Sequence, residues 1–164
     1  MDFFDVLKKR RSIRKFTSFV IPDEDIETIL NSAHLAPTAR NIQPWEFIVV
    51  KDRATKSSIA RLASKNGSFL DQAPVCIAIF CQDTKYYLED GSAATTSALL
   101  AAVALGYGAC WVAGDKKEYA EEVRLLLGVS SGFKLVSLIA LGKPGEEPNP
   151  QKRSVKEVLH KERF

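Results

Sequence analysis

The chain has 164 residues and a mass of 18.2 kDa, enough for one domain of ordinary size with little room for a second. Hydrophobic residues are 46% and charged residues 26%, a balance that excludes disordered, collagen-like and disulfide-stapled chains. The net charge of +3 is too small to argue for a nucleic-acid partner, but it is unevenly spread. Lys8 to Lys15 holds six basic residues in eight, and the remainder has 17 basic against 20 acidic residues.

Asp2 and Asp5 interrupt the apolar start, so a secretory leader is not expected. The longest weakly polar run, Ala93 to Ala113, contains Thr95, Thr96 and Ser97. It reads as a buried helix running into a strand rather than a membrane span. Cys76, Cys81 and Cys110 all lie in apolar settings, which predicts reduced, buried thiols and a cytoplasmic protein. Cys76 and Cys81 should point to opposite faces of one strand. No cysteine and histidine spacing suits a metal.

In chain order, Asp2 caps a short helix with Phe3, Phe4, Val6 and Leu7 on its apolar side. After the basic run, Pro22 opens a second helix with Asp23, Glu24 and Asp25 in its first turn, buried through Ile26, Ile29, Leu30 and Ala33. Pro37 to Pro44 is an ordered loop bracketed by prolines. Trp45 to Val50 is a strand, and Ala54 to Ala63 is a helix with Asp52 near its start. Pro74 to Cys81 is a strand apolar on both faces. Tyr86 to Leu105 is a long helix stopped by Gly106. A strand at Ala109 to Ala113, a helix at Lys116 to Leu127 and a strand at Leu135 to Leu141 complete the core. The predicted fold is α+β: a three-layer α-β-α domain with a mixed central sheet wrapped by helices. One domain spans residues 1–164, with 146–164 as a C-terminal arm.

Two segments carry chemistry. In the basic run, Ile13 and Phe16 interleave with the charges and pin the segment to a core. Arg10, Arg11 and Arg14 then present held guanidinium forks, and Ser12 adds a hydroxyl, a set suited to one phosphate monoester. A solvated helix end or nucleic-acid patch is the plainer reading. In the loop, Thr38, Asn41 and Gln43 stand between stiff prolines; an amide donates and accepts at once and can read a heterocycle edge. The small residues Gly91, Ser92, Ala93, Ala94, Ser97, Ala98, Ala101 and Ala102 of the long helix suit close packing, within one subunit or across a dimer seam. The glycines at Gly106 and Gly108 follow a helix and do not form a dinucleotide fingerprint, and no P-loop is present.

Arg10-Arg11-Ser12-Ile13-Arg14-Lys15-Phe16, followed by Pro37 to Phe47, resembles the two opening signatures of the nitroreductase family of flavin enzymes. Glu89 to Ala94 leading to Leu105 to Gly114 resembles its central helix and following strand. Leu141-Gly142-Lys143-Pro144, then Arg153 to Val158, resembles its closing segment. The resemblance implies a domain-swapped homodimer holding one FMN at each of two interface sites. It implies that Arg10, Ser12 and Arg14, with Arg11 nearby and Arg153 from the arm, face the phosphate and ribityl chain. Pro37, Thr38, Ala39, Asn41 and Gln43 would reach the flavin from the other subunit. Ala113 and Gly114 would lie against the ring, their backbone N–H groups near its reactive nitrogen. The segment between Cys81 and Glu89 is short, whereas longer relatives carry helices over the site there.

The implied activity is ping-pong transfer of hydride from NADPH or NADH through the flavin to a nitroaromatic, quinone or enone. No side-chain nucleophile, metal, membrane or nucleic acid is involved. The competing readings are a flavin-binding sensor without turnover and, from another class, a basic module gripping nucleic acid or an acidic partner.

Overall fold

A computed structural model describes residues 1–164. Four strands form one sheet: β1 (Trp45–Val50), β2 (Val75–Gln82), β3 (Gly108–Ala113) and β4 (Phe133–Gly142), in the order β1-β2-β4-β3. All three ladders are antiparallel. This corrects the expected mixed sheet, whose only parallel element is a single bridge between Ser12 and Ala109. The helix leaving β2 does lead to a strand parallel to it, but β4 returns between the two and separates them.

The period-2 alternation of β2 builds two cores. Val75, Ile77, Ile79 and Cys81 face one side, with helices α2 (Asp23–His34) and α5 (Tyr87–Ala104). Cys76, Ala78 and Phe80 face the other, with α3 (Arg53–Leu62) and α6 (Ala120–Leu126). Cys76 and Cys81 therefore lie on opposite faces, and all three thiols are free and buried. Burial pushes Cys76 and Cys81 up to about 12.

Local signals place the helices. Asp2 caps α1 (Phe3–Lys9) by accepting from the Asp5 N–H at 3.0 Å. Asp52 caps α3 by accepting from the Thr55 N–H at 2.7 Å. Small residues let α5 lie on its own sheet: a Cβ at Gly91 would come within 2.7 Å of Val136. Beside it, the buried hydroxyls of Thr95 and Ser137 bond at 2.8 Å. The small-residue face is thus used inside the chain. α6 starts later than expected because the preceding chain turns at Lys116, whose φ is 55°. A single turn, α4 (Ser64–Gly67), and a 3-10 turn over Ser68–Asp71 join α3 to β2. From Gln151 the chain is exposed, with one 3-10 turn at Val155–Glu157. No helix is long and apolar enough to cross a membrane.

Candidate functional site

After α1 the basic run becomes extended. Ile13 donates its N–H to the Ala109 carbonyl at 3.1 Å and is buried against Gly108, where an added Cβ would come within 2.8 Å of it. Alternation then puts Arg10, Ser12 and Arg14 on one side of the segment and Arg11, Ile13 and Lys15 on the other. The first three gather about the Cys110 thiol. Burial raises that thiol's pKa, and Arg14, Ser12 and Arg10 each pull it back down. Arg11 is spent elsewhere: its guanidinium donates to the Lys8 carbonyl at 2.6 Å and the Arg10 carbonyl at 2.8 Å.

Arg14 lies over the Phe69 ring, 5.7 Å from its centroid, and lines two adjoining clefts. One, of about 440 Å³, is completed by Lys65, Asn66, Ser68, Lys117, Tyr119 and the β3 residues from Cys110 to Ala113. The other, of about 460 Å³, includes Ser12, Lys15 and Glu146. Glu146 accepts the N–H groups of Arg14 at 2.7 Å and Lys15 at 3.2 Å, so the root of the arm is tied to the basic run.

β3 is an edge strand, which leaves every second backbone group unpaired. Gly114 donates to the Val136 carbonyl at 3.0 Å, so its N–H faces β4 and is occupied. By the same alternation the N–H groups of Trp111 and Ala113 face outward, on the side where Ala109 receives Ile13. The expectation of two available donors at Ala113 and Gly114 is corrected to one, that of Ala113. Tyr119 hydroxyl donates to the Ala113 carbonyl and holds this end of the strand. Gly114 is required for packing: a Cβ there would lie 2.5 Å from Leu135 Cγ.

The amide loop stands apart from this arrangement. Thr38 Oγ1 donates to Asp90 at 2.8 Å, and the Ala39 N–H donates to the same carboxylate at 3.0 Å. Thr38 Oγ1 also accepts the Gln43 N–H at 3.1 Å, and the Gln43 amide donates to the Asn41 carbonyl at 3.3 Å. Arg40, Asn41 and Gln43 have φ of 55°, 55° and 52°, a left-handed conformation that side chains disfavour. Pro37, Asn41 and Gln43 are exposed, and Thr38 and Ala39 are half-buried. None of these five residues lines either cleft. Arg153 lies on the exposed tail and makes no hydrogen bond to Arg10, Ser12 or Arg14.

Sequence reasoning missed Asp90, although an acid in the first turn of a helix of small and apolar residues is a legible signal. It also missed Lys65, Asn66 and Ser68, whose short polar link has no periodicity to read.

Comparison with known proteins follows this geometry. A model described as the nitroreductase family matches residues 7–74 and 60–143. A protein of Archaeoglobus fulgidus named as an NADH dehydrogenase/NAD(P)H nitroreductase is 40% identical over 146 residues, covering 84% of this chain and 83% of its own. Mouse iodotyrosine deiodinase 1 is 26% identical over 195 residues, covering 96% of this chain and 68% of its own. The solved structure of an FMN-dependent nitroreductase of Clostridium difficile superposes with a TM-score of 0.92 at 32% identity, covering 98% of this chain and 99% of that one.

Proposed function

The chain belongs to the nitroreductase family of oxidoreductases, and we propose that it is an FMN-dependent enzyme using NADPH or NADH, assembled as a homodimer with two composite sites. The observation that supports this best is the division of the site. One chain supplies a basic cleft and a free edge donor, while the loop bearing Thr38, Asn41 and Gln43 is anchored on Asp90 and lines neither cleft.

The residues present fit FMN. Arg10, Ser12 and Arg14 share one side of an extended segment, and paired guanidinium groups with a hydroxyl match a phosphate monoester. The Ala113 N–H is a fixed donor that nothing else in the chain uses, set for a heteroatom of the ring. Lys65, Lys117 and Arg14 make the cleft positive, which favours negative charge developing on a bound ring system. Arg153 is assigned to the phosphate through arm movement on assembly. Pro37, Thr38, Ala39, Asn41 and Gln43 are assigned to the partner's flavin. Bound there, FMN would supply a hydride relay from NAD(P)H to a small organic acceptor such as a nitroaromatic, quinone or enone, in a ping-pong order. The protein's part is to hold the phosphate, present one backbone donor, supply positive charge and exclude water from one face.

The dimer reading also accounts for unpartnered apolar side chains. Phe3 and Phe4 of α1 are 63% and 68% exposed, and Val155 on the arm is 70% exposed. Surfaces of this kind suit mutual burial between copies. The protein as purified is expected to be yellow and to bleach on mixing with NADPH or NADH. A colourless protein after FMN addition refutes the flavin reading; bound flavin that is not reduced leaves a binding protein rather than an enzyme. Arg14→Ala and Asn41→Ala chains, inactive alone, should restore one intact site per mixed dimer. No recovery in the mixture refutes the shared site.

A further inference from the structure

A cavity of about 770 Å³, larger than either basic cleft, lies between the crossing segment Phe16 to Ile21, the start of α3 and residues Gln72 to Val75. Its wall contains Lys56, which is only 7% exposed. The Lys56 ammonium donates to the carbonyls of Ala73 at 2.5 Å and Pro74 at 3.0 Å. Both acceptors are neutral, and an ammonium has a third donor. None of the ion pairs of the chain includes Lys56.

The acids in its surroundings are committed. Asp52 caps α3 through Thr55, Asp71 accepts from Ser57, and Asp23 at the cavity rim is paired with Lys51. A buried cation without a counter-ion is costly to keep. Burial accordingly holds this amine below the usual lysine range, with Asp71 and Asp52 attracting it only from a distance.

We infer that this cavity is a second small-molecule site, separate from the flavin cleft, that takes a carboxylic acid with a compact apolar body. The carboxylate meets the Lys56 ammonium, and Phe19, Val20 and Ile21 cover the apolar part. The Gln72 side chain, on the wall between this cavity and the basic cleft that includes Ser12 and Lys15, offers a second polar contact. The other ammonium of the wall, that of Lys51, is paired with Asp23, and one uncommitted ammonium without a guanidinium fork or glycine-rich nest suits a carboxylate rather than a phosphate ester. The proposed site differs from the cleft of Arg14 in this donor chemistry.

Benzoate and benzyl alcohol, which share a ring and differ in charge, are suitable probes. The full chain as purified, labelled with nitrogen-15, is titrated with each while backbone resonances are followed. Benzoate should give saturable shifts at Thr17, Ser18 and Phe19, which line this cavity and neither basic cleft, with benzyl alcohol at least tenfold weaker. Lys56→Met keeps the length of the side chain and should weaken benzoate at these residues at least tenfold. Val20→Glu changes a residue that is 83% exposed, so the fold is spared, and it should weaken benzoate by repulsion. Shifts confined to Arg14, Trp111 and Ala113 would place the binding in the basic cleft and overturn the proposal. Equal affinities for the two probes, or an affinity unaffected by both substitutions, would overturn it as well.

Discussion

Asp90 offers the most direct test of how the amide loop is held. Asp90→Asn keeps the volume of a side chain that is 5% exposed and removes its charge. Two hydrogen bonds now end on the carboxylate, from Thr38 Oγ1 at 2.8 Å and from the Ala39 N–H at 3.0 Å. Hydrogen bonds to a charged group contribute about 1.5–3 kcal/mol each, against about 0.5–1.5 for neutral pairs. An asparagine can accept from Ala39 and donate to Thr38, but the Thr38 proton then loses its acceptor. Losing about 1 kcal/mol per bond gives a loss of about 2 kcal/mol, or roughly 30-fold in the order–disorder equilibrium constant of the loop. The loop is already in a disfavoured backbone conformation at Arg40, Asn41 and Gln43, so a weaker anchor at Asp90 should let it relax. If it touches the flavin, the FMN dissociation constant should rise roughly 30-fold by the same arithmetic. The assay is titration of the deflavinated protein by flavin fluorescence quenching, beside a thermal melt. Thr38→Val should act in the same direction, and the double variant should lose less than the sum, since both residues serve one network. A lowered melting temperature with FMN affinity unchanged within about twofold would refute the assignment of this loop to the flavin.

Other expectations follow from single contacts. Gly114→Ala brings a Cβ to 2.5 Å from Leu135 Cγ and 2.8 Å from the Leu135 carbonyl of β4; the loss should be about 1–3 kcal/mol, and an unchanged melting temperature would contradict the close approach. Arg14→Ala should weaken FMN binding with little change in stability, whereas Arg11→Ala should lower stability more, because the Arg11 donors end on the Lys8 and Arg10 carbonyls. Two phenols are raised to about 12, Tyr107 by burial and its bond to Asp25, and Tyr87 by its bond to Asp115. Such a phenol keeps its proton where the unfolded chain has lost its own. Its contribution is complete below about pH 10 and is lost as the pH rises from there towards 12. The melting temperature should fall across that window, and less steeply in Tyr107→Phe; equal slopes would contradict the assignment.

Much of the secondary structure was legible because local signals agreed with the apolar pattern. Asp2 and Asp52 marked helix starts that the structure uses as caps, and β1 runs from Trp45 to Val50 as its β-branched and aromatic residues predict. Ile13 interrupts the charges of the basic octet and pins it to the core, where it is buried. The opposite facing of Cys76 and Cys81 followed from strand periodicity alone. Strand direction was not legible in the same way. Alternating helices and strands are compatible with parallel pairing, and only the return of β4 between β2 and β3 makes every ladder antiparallel.

The same division applies to the candidate site. The sequence by itself determined which groups are on offer: guanidinium groups and a hydroxyl in the basic run, an amide-bearing loop and thiols in apolar strands. These follow from residue types and short spacings. Tertiary structure decided which of those groups are free. It committed Arg11 to the Lys8 and Arg10 carbonyls at the end of α1, turned the Gly114 N–H into the sheet and left that of Ala113 outside. It gave the loop its anchor in Asp90, 52 residues beyond Thr38, and it buried Lys56 beside a cavity that no motif announces. The physical reason is that a hydrogen-bonding group can be spent once, and its partner is fixed by packing between elements distant in sequence.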